Sequence, residues 1–184
     1  PGQTIVSQLG NEGAAFAAGM RPSTLGWGPD DAAHPDRFII NPTDGAELVW
    51  APAGTFRMGI TAGEIEQLWR DNGWDPGWKG TCHDAQPARE VTLTEGFWMY
   101  RHGVTNEQYM RFLAEAQAEA TPLPELEQGY PNVPVRGTWV DADLYAAWAS
   151  GQLPTEAHRE WAARGPEQRL WPWGNTFDST QCNS

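Results

Sequence analysis

Two cysteines and four histidines are the side chains of this sequence best suited to nucleophilic, redox or acid–base chemistry near neutral pH. Cys82 and Cys182 stand far apart, and no C-x-x-C occurs. A zinc ribbon and a thioredoxin-type motif are therefore both excluded. The two thiols have two readings. One is a long-range disulfide, worth roughly 2–4 kcal/mol in an oxidising compartment; the other is a pair of unbridged buried thiols. His34, His83, His102 and His158 form no H-x-H, H-E-x-x-H or two-histidine-one-carboxylate spacing. Each is read as a surface or hydrogen-bonded histidine, and no G-x-S-x-G accompanies them to suggest a serine nucleophile.

The charge balance narrows the partners. The formal net charge is −12, and Lys79 is the sole lysine. Nucleic acid and anionic membranes both require a basic footprint, so neither is an expected partner. An acidic, self-repelling surface is the plain reading, and carboxylates gathering a divalent cation the sharper one. No apolar run is long enough for a membrane span. The chain opens on Pro1, as expected of a mature or trimmed product.

The elements that must position such residues are short. The 184 residues suffice for one domain with a core, and 20 Gly with 15 Pro predict many turns. Eleven Trp supply large flat rings to that core. Residues 1–46 read as an N-terminal arm, and the domain proper as 47–184. Strands are expected at 47–50 and 55–59, with Val49, Phe56 and Met58 inward. A helix over 62–73 puts Ile65, Leu68 and Trp69 on one face and stops at Gly73. Residues 74–87 read as a loop. Residues 89–105 alternate, with Gly96 breaking the run, before Thr105 opens a capping box ahead of Tyr109, Phe112, Leu113 and Ala116. Asp141 is expected to cap a helix bearing Leu144, Tyr145 and Trp148. Thr155 is expected to cap another carrying Ala157, Trp161 and Arg164. Trp139, Trp148, Trp161, Trp171 and Trp173 are all read as core rings.

Four segments then carry a family likeness: LVWAPAGTFRMG (48–59), PAREVTLTEGFWMYRHGVTNEQYMRFL (87–113), VPVRGTWVDADLYAAW (133–148) and LPTEAHREWAARGPEQRLWPWGN (153–175). In this order they resemble the formylglycine-generating-enzyme, or sulfatase-modifying-factor, family. The resemblance implies an irregular α+β domain of C-type-lectin-like fold, with short strands, three to four short helices and much loop. It also implies a chemistry, oxidation of a substrate cysteine to formylglycine by a C-terminal cysteine pair that binds copper. The family stretches that precede that pair do not occur in this sequence. Cys82 and Cys182 lie outside the expected positions, so the resemblance assigns no catalytic residue and leaves copper to a cysteine pair elsewhere. What it does transfer is calcium: an Asn and the carbonyl of the next residue, shortly after the PWG turn, match Asn183 and Ser184, oxygen ligands suited to a hard cation.

Three functions follow as expectations. The first is a non-catalytic binding or structural module, extracellular, periplasmic or at the cell surface, recognising protein or carbohydrate. The second is the N-terminal part of a formylglycine-generating or sulfoxide-synthase-type oxidase whose catalytic cysteines lie outside this chain. The third is a self-assembling extracellular filament subunit that binds further copies of itself. A shared scaffold does not choose among them, because function resides in the site.

Overall fold

Phe97–Tyr100 is an unbroken apolar run, which suits a strand covered on both faces rather than one half-exposed. In the computed structural model it is indeed interior. The structure describes residues 38–116 and 130–181, with the backbone of 6–7 and 21–22. These fall into two compact units, Pro1–Ala53 with Glu95–Thr155, and Gly54–Thr94 with Glu156–Ser184. The architecture is α+β and irregular, with strands of two to five residues and four described α-helices.

In the first unit, β1 (Val6–Ser7), β2 (Arg21–Pro22), β3 (Phe38–Ile40), β4 (Glu47–Ala51), β7 (Phe97–Tyr100) and β8 (Gly151–Gln152) form one sheet, ordered β2-β3-β4-β7-β1-β8. Every described pairing in it is antiparallel. All four residues of β7 are buried between β4 and β1. The register places Leu48 opposite Ile39 on one side and Tyr100 on the other. Leu48 and Ala51 are the buried residues of β4 and Val49 is only partly covered, against the expected inward position.

Two helices cover this sheet's core. α2 (Asn106–Glu115) begins at the expected capping box: Thr105 Oγ1 accepts the Gln108 N–H, and Gln108 Oε1 accepts the Thr105 N–H at 2.9 Å. Tyr109 and Phe112 are buried, whereas Ala116, expected in the same stripe, is the exposed C-cap. α3 (Trp139–Trp148) starts earlier than expected. Its cap is Thr138, whose N–H and hydroxyl both donate to the Asp141 carboxylate at 2.8 and 2.7 Å. Tyr145, Ala146 and Ala149 are buried, while Leu144 is 48% and Trp139 65% exposed, so neither is a core residue. Tyr145 stacks on Tyr109 at 6.0 Å and meets Phe112 and Trp148 edge-on. Such ring pairs are each worth about 0.5–1.5 kcal/mol beyond their burial.

The second unit is built on the hairpin of β5 (Gly54–Met58) and β6 (Arg89–Leu93), with Phe56 opposite Val91. Phe56 and Met58 are buried as expected. α4 (Glu156–Arg164) lays the buried Trp161 against Phe56, ring centroids 5.3 Å apart. Gly54 permits this approach, since a Cβ there would stand 2.7 Å from the Trp161 ring. α1 (Ala62–Asn72) buries Ile65 and Trp69, leaves Leu68 partly covered, and ends at Gly73 in the left-handed region. The stretch expected as loop holds a 3₁₀ segment over Pro76–Ala85, started by Asp75, whose side chain accepts the Gly77 N–H. Proline in its first turn needs no N–H partner there. Trp171 lies edge-on to Trp74 and parallel to Trp173, with Phe177 against both Trp74 and Trp171.

Candidate functional site

Among the described residues, those singled out from sequence are not gathered into one metal-binding centre. Asn183 and Ser184, the candidate calcium ligands, lie outside the described residues, as do Cys182 and His34. Cys82 is partly buried in the 3₁₀ segment and forms no disulfide among the described residues. Its neighbour His83 is exposed, with Nδ1 3.7 Å from Asp84 Oδ1. His102 is exposed, and burial holds the His158 imidazole below its ordinary pKa. Among the described residues no three His, Cys, Asp or Glu side chains come together as a metal site. A copper held by two thiolates therefore does not fit the described donor set, in which Cys82 is the one thiol.

A cavity of about 220 Å³ lies in the second unit. Gly59 and Ile60 enter it from the end of β5, Glu64 and Leu68 from α1, Glu160 and Arg164 from α4, and Leu170 and Trp171 from the turn beyond. Glu160 and Arg164 are one helical turn apart and pair at 2.6 Å, each side chain only 19% exposed. Glu160 Oε1 also accepts the Gly59 N–H at 2.8 Å, and Arg164 Nε donates to the Arg169 carbonyl. Neither Glu160 Oε2 nor Arg164 Nη2 has a hydrogen-bond partner among the described residues. The cavity thus has a partly exposed Glu160–Arg164 ion pair among the apolar lining residues Ile60, Leu68, Leu170 and Trp171.

At its rim, Arg57 donates to both oxygens of Glu64, at 2.7 and 2.6 Å, and Thr61 adds its hydroxyl and N–H. The Arg57 guanidinium first, and then Thr61, hold the Glu64 carboxyl down at about 2. A depressed carboxyl contributes stability above its unfolded value and loses it as pH falls through the folded one. The contribution of this contact is therefore complete above the ordinary carboxylate range and fades towards pH 2. Both partners are substantially solvated, so the titration reads the contact better than the melting temperature does. An NMR titration is expected to place Glu64 near 2 in the parent chain and clearly higher in Arg57→Ala. An unmoved midpoint would show that Thr61 alone sets it.

A second polar cluster, in the first unit, was not foreseen from sequence. Tyr100 and Tyr145 each donate a hydroxyl to Asp44 Oδ2 at 2.6 Å, and Oδ1 accepts the Ala46 N–H. Asn41 Nδ2 donates to Tyr100 Oη and to the Ala149 carbonyl, both at 2.9 Å. All four residues are buried. The one sequence signal is the turn-forming run Asn41-Pro42-Thr43-Asp44-Gly45, which announces a turn but not its burial.

The family model described as "Sulfatase-modifying factor enzyme 1-like domain" matches residues 37–184. A formylglycine-generating enzyme from Thermomonospora curvata is 55% identical, the alignment covering 70% of this chain and 52% of that protein. A protein named serine/threonine-protein kinase Pkn1, from Chlamydia trachomatis, is 36% identical over 74% of this chain and 22% of its own length. The solved structure of PvdO from Pseudomonas aeruginosa superposes with a TM-score of 0.56 at 26% identity, covering 77% of this chain and 55% of that one. The chain spans about half the length, or less, of these relatives.

Proposed function

The chain belongs to the sulfatase-modifying-factor family, and from that premise we propose that it forms the scaffold portion of a formylglycine-generating-type oxidase, with the reactive cysteine pair and its copper supplied from outside these residues. The identity of 55% to a formylglycine-generating enzyme carries this reading, since it runs through the scaffold that such an enzyme needs. The described side chains support it as well. Capping boxes, buried rings and the Asp44 cluster all serve positioning, and no described cluster is suited to redox chemistry. Calcium at Asn183 and Ser184 belongs to the same proposal. Reading the coding sequence beyond Ser184 is expected to reveal a late cysteine pair. The full-length product is expected to convert a peptide cysteine to formylglycine with copper and O₂, and to bind calcium in equilibrium dialysis. A coding sequence without such a pair would overturn the proposal.

The second reading is a non-catalytic module that binds protein, carbohydrate or another copy, extracellular or at the cell surface. One observation favours it: the same domain occurs in a relative named as a kinase, so the scaffold is reused beside other activities. No described helix is long and apolar enough to cross a membrane, which is compatible with either reading.

A further inference from the structure

The helix α3 is apolar on the side that meets the core and also on the side that does not. Its ten residues carry two charges, Asp141 and Asp143, and Asp141 is engaged by the cap. Tyr145 and Ala146 take the buried side, with Ala149 just beyond the helix. The opposite arc holds Trp139, Val140, Asp143, Leu144 and Ala147, all exposed, with Val140 at 59%. Spacings of four and seven residues put Val140, Leu144 and Ala147 in one stripe, flanked by Trp139 and Asp143. This stripe has no cover among the described residues. A helix at a finished surface turns charge outward, whereas one that is apolar all round is built to be buried.

The formal charge of −12 sets copies of this chain against one another, which disfavours a second copy as the cover. A stripe whose sole charge is Asp143 matches the core-like character of permanent contacts better than the polar character of transient ones. The relatives supply a permanent cover. The alignments reach 52% of the Thermomonospora enzyme and 55% of PvdO, so each has nearly half of its chain beyond what is matched here. We propose that the outer face of α3 seats a further segment of the same polypeptide, lying outside this sequence, with apolar side chains against Trp139, Val140 and Leu144 and a hydrogen-bond donor to Asp143. The donor is required because a carboxylate covered without a partner is costly. That occupant rests on the oxidase reading in one respect, that more of the domain exists; neither the cysteine pair nor copper enters.

The test compares the 184-residue chain with the full-length product by hydroxyl-radical footprinting, read residue by residue by mass spectrometry at concentrations where light scattering gives monomers. Trp139 is expected to oxidise freely in the short chain and at least about fivefold more slowly in the full-length product, where its ring is covered. Leu144 is expected to follow it. Val140→Glu is expected to leave the unfolding midpoint of the short chain in place, because the position is solvated there. In the full-length product the same change is expected to shift the unfolding equilibrium by at least about tenfold, since a charge replaces an apolar side chain in a covered seam. Equal oxidation of Trp139 in both chains would overturn the proposal, and would leave the oxidase reading standing where a late cysteine pair is present. Protection in a full-length product that lacks such a pair would support the seat and end the oxidase reading. Protection that appears in the short chain as its concentration rises would replace the segment with a second copy. A coding sequence with nothing beyond this chain would overturn both.

Discussion

Asp44→Ala is expected to destabilise the chain by about 3–5 kcal/mol, which is a large part of the ~5–15 kcal/mol available to a typical domain. The cost arises from what is left behind. Asp44 Oδ2 is the shared acceptor of the Tyr100 and Tyr145 hydroxyls, and both rings are almost fully buried. Without it two donors lose their partner in a place water does not reach, each at roughly 1–3 kcal/mol. The same substitution frees the Ala46 N–H, which Oδ1 holds in the turn between β3 and β4. Asn41 cannot take over, because its Nδ2 is a donor and already serves Tyr100 and the Ala149 carbonyl. Asp44→Asn keeps one carbonyl oxygen in place and is expected to recover part of the loss. Denaturant unfolding of the parent and the two variants measures both. A loss below about 1 kcal/mol for Asp44→Ala would mean that the cluster rearranges or hydrates, and that it does not tie β3, β7 and α3 together.

What could be read in the sequence, and what could not, divides along the range of the interactions. Thr105 announces its helix because a capping box is satisfied within four residues, and Gly73 ends one because a single left-handed residue suffices. The same local logic should have given Thr138 as the next cap, since Thr138 and Asp141 have the capping-box spacing. Asp141 is the N3 partner of that box and not its cap, and the inward set includes Ala146 and not Leu144. β7 shows the limit of alternation: Phe97–Tyr100 has no polar face because side chains on both faces of the strand are buried, and what covers a face is not a local property. The Asp44 cluster joins positions 41, 44, 100 and 145, and the cavity joins Gly59 to Glu160 and Arg164. In the latter the helical pair Glu160–Arg164 is visible as an i, i+4 spacing. Its bond to the Gly59 N–H, across a hundred residues, is not. Polar residues paired over such separations carry no periodicity, so composition records their presence and hides their purpose.

The same cluster makes the fold sensitive to alkali. Burial, then the negative charge of Asp44, then the hydrogen bonds to it, raise the Tyr100 and Tyr145 phenols far above the ordinary tyrosine value. A group raised in the folded state contributes stability that is complete below its unfolded pKa, about 10 for tyrosine, and is lost as pH climbs beyond it. Above that point the unfolded chain has released two protons that the folded chain still holds. Stability is then expected to fall by about 2.7 kcal/mol per pH unit, two protons at about 1.36 each. Tyr109, raised by its own burial and by Asp141, pulls in the same direction. Denaturant unfolding between about pH 9 and 11, followed alongside tyrosinate absorbance, measures the slope. Tyr145→Phe lowers stability at every pH by losing a hydrogen bond, but its distinctive effect is on the slope, which is expected to flatten by about 1.4 kcal/mol per pH unit. Lysine and cysteine also titrate in this range, and the difference between parent and variant removes their contribution. An unchanged slope in Tyr145→Phe, or tyrosinate absorbance appearing fully before unfolding begins, would show that Asp44 does not hold these phenols protonated in the native state.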